Sequence, residues 1–288
     1  GLVEIDDKLA VDRHGRRSGW WKYVALKYSG LLSLDMAKTS YSTVTTQNSK
    51  VQFILEDGQR ADADIEHEIR AGGGNRAAFE QNVRTYHGFG YLPRPHRSFA
   101  FRFDENVGRS LGYAETDGVS STFDYFRRIV RGAYEKDIML HLFLSPSHAW
   151  QWEIVAAAGL WDHFEEWKRE LVQIVHEEAL RAGREPFILW DFADYAGPTV
   201  EEVPPLGTTE LMKFYWESSH YRKELGALVV DRLTGGSELR KMFPDGSGTP
   251  LDSESLDNHL RNVRRRAQAY REAHSEDIAA IRGIWAEE

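Results

Sequence analysis

The segment Tyr215-Trp216-Glu217-Ser218-Ser219-His220-Tyr221-Arg222 sets an acid three positions ahead of a histidine. At the entrance of a helix, that spacing brings a carboxylate against one imidazole nitrogen and leaves the other to face a nucleophile, which is the acid–base half of a hydrolase. The structural use of the same residues is plainer: Ser218 or Ser219 caps the helix and His220 stands on its first turn. A second segment, Leu144-Ser145-Pro146-Ser147-His148-Ala149-Trp150, closes an apolar run and opens a helix. There Ser147, His148 and nearby backbone N–H groups can form part of a polar site, or Ser147 can serve only as a cap. A third, Asp191-Phe192-Ala193-Asp194-Tyr195, follows another apolar run. Acids in that place can orient a histidine or hold a metal, but Asp is also a routine turn residue and no acid–His cluster at metal spacing accompanies it, so a structural use is expected.

These segments need elements to hold them. Ile138 to Leu144 and Phe187 to Trp190 read as buried strands, the first stopped by Pro146. Ser120 or Ser121 can cap a helix carrying Phe123, Phe126, Val130 and Tyr134 on one face. Helical spacing also marks His148 to Ala158, Gly159 to Ala182, a short stretch through Leu211-Met212, and the run Leu225, Leu228, Val229 and Leu233. Leu256, Leu260, Val263, Ala267 and Tyr270 mark a further amphipathic helix, which Ile278, Ile281 and Trp285 extend or follow with another. Alternating strand and helix predicts a parallel sheet in a layered α/β domain, where ligands gather at the carboxyl ends of strands. Residues 118–288 form this core with its C-terminal helix, and residues 1–117 an irregular front end within or beside the same domain. In the front end, Trp20, Trp21, Val24, Tyr28, Leu31 and Met36 have helical spacing. Val51 to Leu55 before Asp57-Gly58 reads as a hairpin with a polar return strand near Arg60 to Asp64, and Asn75 caps a helix with Ala78, Phe79, Val83 and Tyr86 inward. Arg261, Arg264, Arg265 and Arg266 read as a solvated helix face.

Composition narrows the function classes. Lys+Arg 36 against Asp+Glu 45 gives a net charge of -9, a field that repels nucleic-acid phosphates and anionic membranes, so no nucleic-acid partner is expected. The absence of Cys removes disulfides, thiolate metal sites and Cys nucleophiles together. No apolar run reaches the roughly 18 to 20 residues of a membrane span. A chain beginning at Gly1 is expected to be a processed product or a piece of something longer.

Ser145-Pro146-Ser147-His148, Leu189-Trp190-Asp191-Phe192, and Trp216 to Tyr221 followed by Glu224-Leu225-Gly226 together resemble the C-terminal half of SGNH (GDSL-like) hydrolases, over about residues 118 to 235. The nearer likeness is to bacterial envelope members related to O-acetylation and teichoic-acid D-alanylation proteins. The resemblance implies a three-layer flavodoxin-like fold, a parallel sheet flanked by helices, and a Ser-His-Asp triad acting on ester bonds. His220 matches the family base and Glu217 the acid, with Glu in place of Asp; Ser147 or His148, with Ser145 beside them, occupies the region of the oxyanion-hole group, normally Asn. Trp150, Trp152 and Trp216, if exposed, can stack on sugar rings, with Tyr221 alongside, and core packing is their other use. The family's Gly-Asp-Ser nucleophile motif is absent, and Gly246-Ser247-Gly248 follows the histidine and is rejected as a substitute.

The expected function is therefore an ester hydrolase or O-acyl transferase module acting on a small-molecule or carbohydrate-linked acyl ester, with no cofactor or metal. Its Ser nucleophile is not evident here: it lies outside this chain, as in an N-terminally shortened piece, or is not yet recognised, and an inactive relative is the other explanation. The alternatives are a non-catalytic binding or scaffold protein on the same fold, and a metal-dependent hydrolase drawing on His148, Asp191, Asp194 and His220. The resemblance also implies an extracytoplasmic or periplasmic location and a membrane-anchored full-length form.

Overall fold

The computed structural model describes residues 60–88, 122–246 and 248–286, with isolated positions 21, 37–38, 40–41, 44–45 and 55. Contacts separate the described residues up to 64 from a second unit holding 65–88 and 122–286. In the first unit, Trp21 and positions 37–38, 40–41 and 44–45 are helical. The first strand and turn of the expected hairpin, apart from Leu55, and the caps expected at Ser120 and Ser121 lie outside the described residues. The return strand expected near Arg60 to Asp64 is corrected, since a helix begins at Asp62 with the acids Asp62 and Asp64 favouring its first turn.

In chain order the helices are α1 (Asp62–Ala71), α2 (Asn75–Gly88), α3 (Thr122–Glu135), α4 (Ala149–Ala157), α5 (Trp161–Ala182), α6 (Lys223–Leu233), α7 (Glu238–Met242), α8 (Leu256–Ala273) and α9 (Ser275–Trp285). The strands are β1 (Leu142–Leu144), β2 (Leu189–Asp191), β3 (Tyr215–Glu217), β4 (His220–Tyr221) and β5 (Thr249–Leu251). The protein is mixed α/β. β1 pairs parallel to β2, with Leu144 opposite Asp191, and β5 pairs antiparallel to β2, with Leu251 opposite Leu189. The expectation of a wholly parallel sheet is thus corrected at its third strand. No described helix is long and apolar enough to cross a membrane.

Both apolar runs outlast their strands, and a helix stop explains the first. Asp137 adopts φ 53, and Ile138 N–H returns to the Ala133 carbonyl at 2.8 Å, the left-handed closure that ends many helices. Ile138 and Met139 are consequently 50% and 77% exposed and belong to the exit from α3. The helix expected through Leu211-Met212 is a loop instead, because Met212 N–H is taken by the Asn75 side chain at 3.0 Å. Asn75 is fully buried, and its Nδ2 also donates to the Trp216 carbonyl at 2.9 Å. The expected cap is a tie between α2 and β3.

One apolar cluster joins Leu144, Leu189 and Leu251 of the sheet to Val155, Phe164, Leu171, Leu260 and Val263. A second gathers Phe79, Val83, Trp150, Ile154, Tyr215, Leu225 and Ile281. Helix α4 serves both, and every residue from Ala149 to Val155 is buried. Each large side chain so enclosed contributes about 1.5–3 kcal/mol of transfer free energy.

Candidate functional site

The acid and the histidine meet, but on a hairpin. Glu217 ends β3 and His220 opens β4, paired across the turn Ser218-Ser219, while α6 begins only at Lys223. The expected helix entrance is corrected because aromatic residues favour extended backbone here and are anchored in it. Tyr215 is fully buried with its hydroxyl donating to the Pro146 carbonyl at 2.6 Å, and Arg222 N–H closes on Phe214 at 2.7 Å. Directly opposed residues on a hairpin lie face to face, so His220 Nδ1 donates to Glu217 Oε1. Ser219 N–H donates to Glu217 Oε2 at 2.8 Å, and Ser219 Oγ donates to Oε1 at 2.8 Å while lying 3.0 Å from His220 Nδ1. The bond to Glu217 raises the His220 pKa above its ordinary 6.5 against partial burial. Burial works to raise that of Glu217, but the His220 and Ser219 bonds outweigh it and leave it lowered. The His220 side chain is 79% exposed, and among the described residues none engages its Nε2.

The hairpin turn is pinned to the Ser-Pro-Ser-His bend, joining two segments that are far apart in sequence. His148 N–H donates to the Ser218 carbonyl at 2.9 Å, and Ser147 N–H to that of Ser145 at 2.9 Å. His148 itself is fully buried and caps α4: its Nδ1 accepts from Trp150 N–H at 3.2 Å and its Nε2 donates to the Glu201 carbonyl at 2.7 Å. Burial depresses its pKa to about 4, against the pull of the Glu201 carbonyl. A neutral ring with both nitrogens engaged cannot contact substrate or metal, which corrects the binding role expected of it. Ser147 is buried and Ser145 exposed. Ser218 is also fully buried; its Oγ accepts from Asn82 Nδ2 at 2.7 Å and donates to Gln151 Oε1 at 3.3 Å. Sequence reading passed over Asn82 and Gln151, since single amides on amphipathic helices carry no signal.

The tryptophans are core residues. Trp150 is fully buried, with its Nε1 donating to Asp277 at 3.2 Å, and Trp152 and Trp216 are 7% and 8% exposed. Arg222 covers the Trp216 ring at 4.1 Å, and Tyr221, half-buried, packs against the second apolar cluster. The expected sugar-stacking surface is therefore corrected: the ring area lies where its burial contributes most to folding.

At the carboxyl end of β2 stands a buried charge network in which Asp191 orients a histidine, a use the sequence reading allowed, though it passed over the partners Lys168 and His259. Asp191 Oδ2 accepts from Lys168 Nζ at 2.6 Å and His259 Nε2 at 2.9 Å, while Oδ1 accepts from Ala193 N–H at 2.8 Å. Lys168 Nζ also donates to the Ala193 carbonyl at 3.0 Å. Burial alone would raise the Asp191 pKa, but the Lys168 charge and the His259 bond leave it lowered. A signal existed: Lys168 falls on the buried stripe of Phe164, Leu171 and Val175, and His259 on that of Leu256, Leu260 and Val263. Arg261, Arg264 and Arg265 are exposed, in keeping with the solvated face expected of this cluster, while Arg264 also bonds Glu165 and Asp162 and half-buried Arg266 holds Asp194 with both arms. Among the described residues, no three His, Asp or Glu side chains gather in a metal-holding group. His148, Asp191, Asp194 and His220 each have separate partners.

Taken against known proteins, the chain stands apart: no family model, curated protein or solved structure matches it.

Proposed function

We propose that this chain carries the acid–base half of an SGNH-like ester hydrolase or O-acyl transferase, on a three-layer flavodoxin-like arrangement. The observation that carries the reading is the Glu217–His220 contact at Nδ1, with Nε2 left in solvent. In the proposed reaction a serine hydroxyl attacks the ester carbonyl, His220 Nε2 takes its proton, and the imidazolium returns it to the departing alcohol. Glu217 fixes the tautomer and stabilises the charged ring. Ser219 is not the nucleophile, because its Oγ lies at Nδ1 beside the carboxylate; the attacking serine is one outside the described residues. The acyl donor is a small-molecule or carbohydrate-linked ester, met outside the cytoplasm.

The test is turnover of short acyl esters with labelling by a serine-directed fluorophosphonate. His220→Ala abolishes turnover, and Glu217→Gln lowers it while moving the rising limb of the pH profile downward, because the carboxylate no longer holds the ring pKa up. Unchanged turnover in His220→Ala defeats the assignment. A second reading, a binding or scaffold protein on the same fold, is favoured by the Ser219 contact, which satisfies the turn internally. Absence of both ester turnover and labelling in folded protein selects it.

A further inference from the structure

A cavity of about 440 Å3 opens among α4, the first turn of α5, α8 and α9. Three arginines line it, Arg264 and Arg271 from α8 and Arg282 from α9, against one carboxylate, Glu153. That carboxylate is already satisfied: it is 5% exposed and accepts from the Tyr195 hydroxyl at 2.7 Å and from Arg271 Nε at 2.9 Å. Arg264 is fixed by Glu165 and Asp162, whereas Arg282 is exposed and forms no ion pair among the described residues. Arg271 is spoken for at Nε by both oxygens of Glu153, so among the described residues the one uncompensated charge of the lining is that of Arg282. The rest of the lining is apolar, with Trp161 and the small side chains of Ala156 and Ala157 among it.

We propose that this cavity binds a small organic carboxylate with an apolar body. The carboxylate meets Arg271 and Arg282, and the body lies along Trp161 over Ala157. Guanidinium forks match the two oxygens of a carboxylate, and the volume falls within the range of small-ligand sites. A compact inorganic anion would satisfy the arginines but leave the apolar wall wet. The proposal uses none of the residues of the Glu217–His220 pair and stands or falls apart from it.

Isothermal titration of the protein with octanoate tests it, with 1-octanol and inorganic phosphate as comparisons. Octanoate is expected to bind saturably at one site, and both comparisons at least about tenfold more weakly, the loss that accompanies one charged hydrogen bond or the apolar contact. Arg282→Ala weakens octanoate binding by about tenfold or more, and Ala157→Phe, which puts a large ring into the cavity lining, abolishes it with the thermal midpoint unchanged. Should the Phe variant fold poorly, Arg282→Ala decides alone, since that side chain is exposed. No saturable heat at concentrations on the order of 10 mM overturns the proposal. So does an Arg282→Ala affinity equal to wild type, or phosphate binding as tightly as octanoate.

Discussion

His148 shows how burial fixes what one side chain can do. Its ring accepts from Trp150 and donates to Glu201, a pattern only the neutral form can sustain. Its folded pKa of about 4 lies below the ordinary 6.5, so the unfolded chain binds the proton more readily across that interval. The stability it contributes is complete above about pH 6.5, drains as pH falls, and is gone below about pH 4, a change of about 3 kcal/mol. Urea unfolding of the wild type and His148→Gln at pH 7, 5.5 and 4 should therefore show a gap that narrows with acid; a constant gap would contradict the assignment. At this scale the sequence was half legible. The pairing of Glu217 with His220 follows from spacing alone, because residues three apart meet on a helix and also across a two-residue turn. The fate of His148 does not, since nothing local distinguishes a buried capping imidazole from an exposed one.

Among the elements, the long helices were legible, the short ones and the strands only in part. The apolar stripes of α5, α6 and α8 follow from their periods, as the burial of Leu171, Leu225 and Leu260 bears out. Strand lengths were overread because Ile138 serves a helix stop, and β5 passed unread because Thr249-Pro250-Leu251 has a proline at its centre and no period. Pro250 is tolerated opposite Trp190 because β5 pairs only with β2 among the described residues. The link between α5, β2 and α8 is the Lys168–Asp191–His259 network, 1%, 0% and 5% exposed at the side chains. Lys168→Met alone leaves a buried carboxylate short of its main partner and should cost about 3–5 kcal/mol in chemical denaturation. The pair Lys168→Met with Asp191→Asn removes the charge as well and should recover a good part of that loss. A double variant no more stable than the single one would show that the lysine acts through packing over Phe164, whose ring lies 4.6 Å from Nζ.

Across the whole unit, two apolar clusters meet along one short helix, and the Ser-Pro-Ser-His bend that begins it carries the hairpin of the candidate site. The site is thus mounted on the most enclosed part of the structure, while its imidazole is exposed and Glu217 and Ser219 are half-buried. With Ala149 to Val155 all buried, α4 has no face from which a local opening could start. Its amide protons should then trade for deuterium only when the entire unit comes apart, with protection equal to the global unfolding free energy, whereas those of β4 should exchange sooner. The segment can accordingly serve as an internal clock for cooperative disassembly: only what loosens the unit as a whole is written in the isotope content of these roughly two and a half turns of backbone.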